Sequence, residues 1–237
     1  MLSLNFETSL KIDIMIMFSI ISKMTSKMTS KREILKSFYK KDCLEVGLDE
    51  AGRGPLFGRV YVGAAILPPE DFDHSLMRDS KKLSERKRLV AYDYIKENAI
   101  DWGVFYYDEK YIDDMNIHKA TYNAMHKVLD TLQVRPTMIL VDGNYFNPYS
   151  FEEEQVDHVC IEQGDNTYSA IAAASILAKV SRDEYIQKLC DDNPTLDEYY
   201  NLRSNKGYGA AKHIDGIKQH GITEWHRKSF GICRRYA

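Results

Sequence analysis

The chain has 237 residues, of which 44% are hydrophobic and 28% are charged, and its net charge is −3. This length and hydrophobic content indicate one core of α/β size with room for a small appendage. The four cysteines are scattered without a C-x-x-C pair, which argues against a zinc site or a disulfide framework and favours a reducing compartment, the cytoplasm.

Residues 1–40 differ in character from the rest of the chain. Residues 23–26 (KMTS) are repeated as residues 27–30, and the segment contains neither Gly nor Pro. We expect a disordered tail or a misassigned start, with a targeting or partner-binding role as the alternative, and a catalytic domain over residues 41–237. The apolar run 14–21 is shorter than the roughly 20 residues that span a bilayer, and it lacks a cleavage site. We therefore expect no membrane association.

From Leu44 onward the pattern predicts strands. Leu44, Val46 and Leu48 alternate with Glu45 and Gly47, which is the period of a β-strand. Further strands are predicted at residues 60–67, 102–107, 138–141 and 156–161.

Helices are predicted between these strands. Ser84 is a good N-cap for a helix over residues 84–99. Apolar residues from Ile117 to Leu132 mark a long helix, and another is predicted over residues 168–189. The small residues 170–175 (AIAAAS) would let this last helix approach the sheet closely. Strands first, then strands alternating with helices, predict an α/β domain with a mixed sheet.

Carboxylates stand at or just beyond the ends of predicted strands: Asp49-Glu50, Asp142 and Asp165. In open α/β sheets, ligands bind at the carboxyl ends of the strands. Carboxylates that converge there repel one another, and a divalent cation removes that cost. An oxygen-only ligand set favours Mg²⁺ or Mn²⁺ over zinc, and two such ions support phosphodiester hydrolysis.

Each acidic residue also has a purely structural reading. An Asp at these positions can be a turn or helix-cap residue, especially Asp165, which precedes a helix. Adjacent strand residues point to opposite faces, so Asp49 and Glu50 cannot both reach one ion from a regular strand. Either the backbone bends at Ala51-Gly52, or Glu50 contributes through its carbonyl oxygen.

The loop after the acidic pair and two basic runs suggest contact with nucleic acid. In Gly52-Arg53-Gly54 the glycines allow a close backbone approach to a ligand, and Arg53 adds an unshielded charge. Residues 78–88 contain six basic residues against two acidic ones, and residues 203–237 contain eight against two. Such runs are often only solvated faces, and they gain meaning if they flank a catalytic centre.

Seven segments stand in order between residues 44 and 230: residues 47–56 (GLDEAGRGPL), 79–84 (DSKKLS), 116–121 (NIHKAT), 140–143 (LVDG), 164–180 (GD…AAASILAKV), 206–209 (KGYG) and 226–230 (HRKSF). Together they resemble the motifs of type 2 ribonuclease H, the ribonuclease HII family. The resemblance implies a ribonuclease H-like fold, with a central mixed five-stranded sheet flanked by helices and a C-terminal helical segment, about 190–237, that helps to bind substrate.

The resemblance also implies an activity. The expected enzyme is a monomeric endonuclease that hydrolyses the RNA strand of RNA–DNA hybrids. It also cuts on the 5′ side of ribonucleotides embedded in duplex DNA, leaving a 3′-hydroxyl and a 5′-phosphate. The expected cofactors are Mg²⁺ or Mn²⁺, with two ions. The implied catalytic and metal-binding residues are Asp49, Glu50, Asp142 and Asp165.

The implied substrate contacts fall in three places. The loop that reads the ribose 2′-hydroxyl corresponds to Gly52, Arg53 and Gly54. Tyr208 corresponds to the tyrosine at the RNA–DNA junction, where the 2′-hydroxyl distinguishes RNA from DNA. Backbone phosphates are expected to contact the basic residues Arg78, Lys81 and Lys82.

Two residues depart from the family pattern. Arg59 stands where the family usually has proline, and Gln163 replaces a frequent lysine before Gly164-Asp165. These changes bear on substrate affinity rather than on the chemistry. The alternatives are another nuclease of the same fold class, such as a junction resolvase or an integrase-like enzyme, and a non-catalytic nucleic-acid-binding relative.

Overall fold

A mixed six-stranded β-sheet forms the centre of the fold in the computed structural model, which describes residues 34–237. The strands are β1 (Glu45–Ala51), β2 (Val60–Ile66), β3 (Asp101–Tyr107), β4 (Met138–Asp142), β5 (Tyr149–Phe151) and β6 (Glu154–Ile161). Their order across the sheet is β3-β2-β1-β4-β6-β5. β4 runs parallel to both of its neighbours, β1 and β6, and the other neighbouring pairs are antiparallel. The expected α/β architecture is confirmed.

The sheet has one strand more than the expected five. The additional strand, β5, is three residues long and pairs only with β6, in a hairpin whose register joins Tyr149 to Val156. The two loop residues, Glu152 and Glu153, have φ angles of 48° and 72°. Tight hairpins of this kind usually carry Asn or Gly at positions of positive φ. A Glu-Glu turn gives no such signal, so the pattern did not predict the hairpin.

Seven α-helices lie within residues 34–237: α1 (Glu85–Asn98), α2 (Glu109–Met115), α3 (Ile117–Thr131), α4 (Ser169–Asp192), α5 (Thr195–Tyr200), α6 (Leu202–Asn205) and α7 (Ala211–His220). The Ser84 side chain caps α1 by accepting a hydrogen bond from the Lys87 amide. Asn116, with φ of 67°, ends the unpredicted α2 and caps α3. In this part of the chain no helix combines the length and apolar character that crossing a bilayer requires.

Helix α4 lies directly on β1 and β2. A Cβ atom on Gly47 would stand 2.1 Å from the backbone of Ala170, and one on Gly63 would stand 2.2 Å from the backbone of Ala174. Contacts this short leave no room for a side chain. The small residues at the start of α4 therefore meet glycines in the sheet, which is the close approach that the sequence predicted.

Three of the five apolar clusters in residues 34–237 hold the helices to the sheet and to one another. One lies between the sheet and α3 and includes Val46 and Val128. A second lies between the sheet, α1 and α4 and includes Ile95 and Ile176. The third joins α4 to the C-terminal helices around Phe57. This third cluster fixes the C-terminal segment to the loop that follows β1.

The compact unit begins at Leu35. Lys36 forms a parallel bridge with Tyr168, and the Glu45 carboxylate accepts hydrogen bonds from the amides of Tyr39 and Lys40. The last residues of the segment expected to be a tail therefore contact the domain. The repeat at residues 23–30 and the apolar run 14–21 lie outside the described residues.

Candidate active site

The carboxyl ends of β1 and β4 bring two aspartates together. The strands are parallel, and Leu48 of β1 pairs with Val141 of β4. The next residue on each strand, Asp49 and Asp142, therefore lies beside the other at the same edge of the sheet. Asp49 is buried, with only 5% of its surface exposed. This is the arrangement that the strand boundaries predicted.

Asp165 joins this pair from a short 3₁₀ turn, Gly164–Asn166, that follows β6. The Gly164 amide donates a hydrogen bond to Asp142 Oδ1 at 2.7 Å. A Cβ atom on Gly164 would stand 2.5 Å from Cδ1 of Ile171, so a larger residue here would require the Ile171 side chain to move. Asp165 is buried, and the nearby charge of Asp142 contributes to raising the pKa of Asp165.

Glu50 faces a different partner from Asp49. Its carboxylate accepts a hydrogen bond from Arg53 at 3.2 Å, and the second terminal nitrogen of Arg53 lies 3.1 Å from His118 Nδ1. The chain bends immediately after β1, where Gly52 has φ of 99°. The bend at Ala51-Gly52 is one of the two possibilities that the sequence left open.

The pKa values of these carboxyl groups are all raised. Burial raises the pKa of Asp49 well above its usual value, and the charges of Glu50 and Asp142 add to the effect. Burial likewise raises the pKa values of Glu50 and Asp142. The pKa of Asp165 rises to about 6, first through burial and then through Asp79 and Asp142. Mutual repulsion and desolvation of this kind are what a bound cation relieves.

Asp49 has hydrogen-bonding partners outside the acidic group. Ser175 on α4 forms a hydrogen bond with the Asp49 carboxylate, and its Oγ lies 3.0 Å from Ser80 Oγ. The Glu50 amide donates to Asp49 Oδ1 at 2.6 Å. These contacts satisfy part of a buried carboxylate and fix its orientation.

Two basic residues of the segment 78–82, Lys81 and Lys82, lie near the acidic group. Burial lowers the pKa of Lys81, but the charges of Asp49, Asp79 and Asp165 outweigh it and raise the pKa overall. Lys82 donates to the side chain of Asn166, and Arg78 is half-buried at the start of the segment. Lys81 therefore faces the carboxylates directly, whereas Lys82 faces the turn that carries Asp165.

A cleft of about 280 Å³ opens beside Glu50. Its lining includes the predicted loop residues Gly52, Arg53 and Gly54, together with Lys81 and Tyr208. The Tyr208 side chain is 48% exposed, and its ring edge lies 3.5 Å from where a Cβ on Gly54 would stand. The structure thus brings the predicted loop and the predicted tyrosine next to each other in the lining of one cleft.

Donor chemistry at this site suits a hard divalent cation, although the side chains are not arranged as a ligand set. Within residues 34–237, no three carboxylate, imidazole or thiol groups are placed to hold one metal ion. Glu50 is engaged by Arg53, and Asp142 by the Gly164 amide. A carboxylate has about four lone-pair sites, so these bonds leave acceptor capacity for a cation. Only oxygen donors are present in the cluster, which fits Mg²⁺ or Mn²⁺.

Some residues of the site were missed by sequence reasoning. Ser175 falls in the run of small residues that predicted close packing, and its second role is visible only in three dimensions. Asp79 stands between Arg78 and Lys81 in the chain and adds a fifth carboxylate near Asp165. Arg182, fully buried on α4, also lines the cleft. None of these contacts follows from spacing along the chain.

Comparisons with known proteins agree on one family. The family profile described as Ribonuclease HII matches residues 46–233. A Ribonuclease HII from Bacteroides thetaiotaomicron is 42% identical over 199 residues, which cover 84% of this chain and 95% of that protein.

Solved structures show the same fold. The crystal structure of the ribonuclease H2 from Pyrococcus horikoshii OT3 superposes with a TM-score of 0.66 at 25% identity, covering 81% of this chain and 96% of that one. A Bst ribonuclease HIII in complex with Mn²⁺ shares the fold with a TM-score of 0.55 at 17% identity, covering 79% of this chain and 71% of that one.

The sheet topology and the acidic cluster at its edge define a nuclease of the ribonuclease H-like class. The profile match and the extent of identity decide between members of that class. The chain belongs to the ribonuclease HII family. It is therefore a ribonuclease H, an endonuclease that hydrolyses phosphodiester bonds in the RNA of RNA–DNA hybrids.

Proposed function

We propose that this ribonuclease, acting as a monomer in the cytoplasm, also cuts on the 5′ side of ribonucleotides embedded in duplex DNA, leaving a 3′-hydroxyl and a 5′-phosphate. One observation carries the proposal: the loop Gly52–Gly54 and Tyr208 lie side by side in the lining of one cleft that also includes Glu50. A single ribonucleotide can be read by groups at one such opening, without a long hybrid. The free thiol state of all four cysteines is consistent with the cytoplasm.

The proposed cofactors are two Mg²⁺ or Mn²⁺ ions, held by Asp49, Glu50, Asp142 and Asp165. The raised pKa values of these carboxyl groups support a cation as their partner. Such ions, when bound, lower the pKa of water and stabilise the leaving oxygen of a phosphodiester. The solved ribonuclease HIII of the same fold is described in complex with Mn²⁺.

Around the cations, the protein's own groups would orient the substrate. The Ser175 hydroxyl and the Glu50 amide hold the Asp49 carboxylate in one orientation. Lys81 faces the acidic group and would attract a phosphate to it. Lys82 and Arg78 would contact the neighbouring phosphates, and such contacts are independent of the nucleic-acid sequence and sensitive to salt.

Recognition of the ribose is assigned to the loop and the tyrosine in the lining of the cleft. Arg53 and the glycines beside it would approach the 2′-hydroxyl, which is the group that distinguishes RNA from DNA. The exposed Tyr208 ring would pack against the sugar or base at the junction. Tyr208 lies in the C-terminal segment, about 190–237, and its position supports the role of that segment in substrate binding.

The proposal is tested with a DNA duplex that contains one ribonucleotide. We expect a single cut on its 5′ side with Mg²⁺ or Mn²⁺ and none with chelator, and end analysis should find a 3′-hydroxyl and a 5′-phosphate. An all-DNA duplex of the same sequence is the control, since its cleavage would indicate a resolvase-like nuclease instead. Cleavage of long hybrids without cleavage of this duplex would contradict the proposal.

A further inference from the structure

The dipeptide His226-Arg227 is completely buried beside the loop that follows β1, with 1% and 0% of its surface exposed. Phe57 and His226 form an antiparallel bridge, and the Arg227 amide donates to the Leu56 carbonyl at 2.8 Å. Within residues 34–237, no carboxylate lies within ion-pair distance of the Arg227 guanidinium. A buried charge without a counter-ion is costly, so its other partners must explain its presence.

Arg227 is held by carbonyl oxygens, all from one segment. A guanidinium has five N–H donors. Nε donates to the Gly58 carbonyl at 2.8 Å. Nη1 donates to the carbonyls of Arg53 and Pro55 at 3.1 and 2.9 Å. Nη2 donates to the carbonyls of Gly52 and Arg59 at 2.6 and 3.2 Å. The loop Gly52–Gly54 is therefore wrapped around a cation that belongs to the C-terminal segment.

His226 is linked to the Tyr208 backbone through a second imidazole, that of His213. The Thr223 amide donates to His226 Nδ1 at 2.9 Å, so the His226 proton sits on Nε2. His226 Nε2 lies 3.1 Å from His213 Nε2, and His213 Nδ1 lies 2.9 Å from the Tyr208 carbonyl. A carbonyl only accepts, so His213 carries its proton on Nδ1 and accepts from His226 on Nε2. Two neutral rings thus form one continuous chain of hydrogen bonds.

This chain of bonds is satisfied only when both rings are neutral. Burial lowers the pKa of each imidazole, and the pKa of His226 falls to about 3. Phe57 packs edge-on against His226 with ring centroids 5.0 Å apart, and Tyr200 does so at 4.9 Å. The surroundings therefore hold the rings in place as well as keeping them uncharged.

We propose that His226 and Arg227 are positioning residues that fix the Gly52–Gly54 loop and Tyr208 relative to each other, and so set the selectivity for a ribonucleotide. The inference rests on the proposed function, in which these two elements read the ribose. Arg227 fixes the Gly52–Gly54 loop by donating hydrogen bonds to backbone carbonyls of that loop, and His226 fixes Tyr208 through His213. The Leu56 amide also donates a hydrogen bond to the Gly207 carbonyl at 2.9 Å, which links the chain next to the loop directly to the chain next to Tyr208.

The test is a double-mutant cycle on the duplex with one ribonucleotide. His226→Phe keeps an aromatic ring but removes the donor to His213, and Tyr208→Ala removes the side chain that the chain of bonds positions. Misplaced reacting groups cost about 10- to 100-fold in rate. In the wild-type background, we expect His226→Phe to lower kcat by at least about 10-fold with KM little changed. In the Tyr208→Ala background, the same substitution should lower kcat by less than about 3-fold.

Controls separate positioning from loss of stability. Ile217→Ala leaves a cavity in the apolar cluster around Phe57, and Ile217 does not line the cleft. We expect this variant to lower the Tm while kcat for folded enzyme stays unchanged. His213→Leu breaks the chain of bonds at its other imidazole and provides a second cycle if His226→Phe does not fold. Arg227→Lys keeps the charge but loses the five-donor geometry, and it should also lower kcat.

The outcomes separate the inference from the proposed function. Strictly additive losses in the cycles, or a wild-type kcat in folded Arg227→Lys, would overturn the inference while the wild-type enzyme still cuts at the ribonucleotide. A wild-type enzyme that leaves this duplex intact would instead reject the proposed function. Non-additive losses, together with an unaffected Ile217→Ala control, would establish the positioning role.

Discussion

At the scale of single residues, Asp142 is the carboxylate whose surroundings give the clearest prediction. Asp142 lies beside Asp49 and accepts a hydrogen bond from the Gly164 amide. An asparagine side chain can take the same place and accept the same hydrogen bond. Asp142→Asn keeps the shape and the hydrogen bond but removes the charge. Even outer partners of metal ligands are worth about 10- to 100-fold in activity or metal affinity, so we expect turnover to fall more than about 100-fold.

Substrate binding should survive the same change, because the proposed phosphate and ribose contacts lie elsewhere. Single-turnover cleavage measures the rate, and a gel shift in the presence of chelator measures binding of the duplex. Asp130→Asn on α3, a surface carboxylate beside Lys127, is the matched control and should cut normally. A wild-type rate in Asp142→Asn would rule out its role as a metal ligand.

Tyr208 carries the second prediction at this scale. Stacking of a base on an aromatic ring is worth about 1–3 kcal/mol, so Tyr208→Ala should lower cleavage at an embedded ribonucleotide by about 10-fold or more. Tyr208→Phe retains the ring and should retain most of the activity. Tyr145, another exposed tyrosine, is the control: Tyr145→Ala should leave the cleavage map unchanged. Equal effects at the two tyrosines would argue against a specific contact.

The sequence predicted the positions of the acidic residues because strand ends define them. Asp49 and Asp142 stand at the end of the apolar part of β1 and β4, and parallel pairing puts them side by side. The contacts of Glu50 were left open by the alternation of strand faces, and its pairing with Arg53 depends on the bend at Gly52. The roles of Ser175 and Asp79 were missed because each residue is remote in sequence from the carboxylate that it acts on, which is Asp49 for Ser175 and Asp165 for Asp79.

At the scale of elements, the packing of α4 on the sheet makes a stability prediction. Gly63→Ala puts a methyl group 2.2 Å from the Ala174 carbonyl oxygen, which is backbone and cannot rotate away. Overpacking typically costs about 1–3 kcal/mol, and we expect Gly63→Ala to lie at or above the upper end of this range. Because α4 also carries Ser175, helix displacement should reduce activity as well.

Gly103→Ala is the matched control for this substitution. Gly103 lies on β3, and an added Cβ there would meet side-chain atoms of Thr131 and Val128 at 3.0 and 3.1 Å. Side chains can adjust where backbone cannot, so the Tm should fall less than in Gly63→Ala. Thermal unfolding of the two variants beside the wild type gives the comparison. An equal or smaller loss in Gly63→Ala would show that α4 moves freely over the sheet.

Most elements followed from periodicity, and the exceptions have local causes. The helices α1, α3 and α4 and five strands carry strong apolar patterns. The β5–β6 hairpin was missed because its turn residues, Glu152 and Glu153, are not typical of positive φ. Helix α2 was missed because it has seven residues and ends at Asn116, too short for a periodic pattern to stand out.

At the scale of the whole molecule, the arrangement of the C-terminal segment could not be predicted from sequence. The bond from Arg227 to the Gly52 carbonyl joins residues that are 175 positions apart. The motif containing His226 and Arg227 was recognisable, but neither its burial nor its partners follow from spacing. The same segment that completes the cleft therefore also contributes buried imidazoles to the stability of the whole domain.

Those imidazoles make stability depend on pH with a defined sign. Burial lowers the pKa of His226 to about 3, against about 6.5 for a free imidazole. Between these values the unfolded chain binds a proton that the folded protein does not, so the free energy of unfolding falls as pH falls below about 6.5. Asp165 acts in the opposite direction: its raised pKa of about 6 makes the folded form bind protons first and gain stability as pH falls.

The contribution of His226 is isolated by comparing the wild type with His226→Phe, because both proteins keep Asp165. The phenylalanine takes no proton in either state. Relative to this variant, the wild type should lose about 2 kcal/mol of unfolding free energy between pH 6.5 and about pH 5. Urea unfolding at several pH values across this range measures the difference. Parallel curves for the two proteins would mean that His226 takes up a proton in the folded protein as readily as in the unfolded chain, and the buried chain of hydrogen bonds from Thr223 to Tyr208 could not then exist as described.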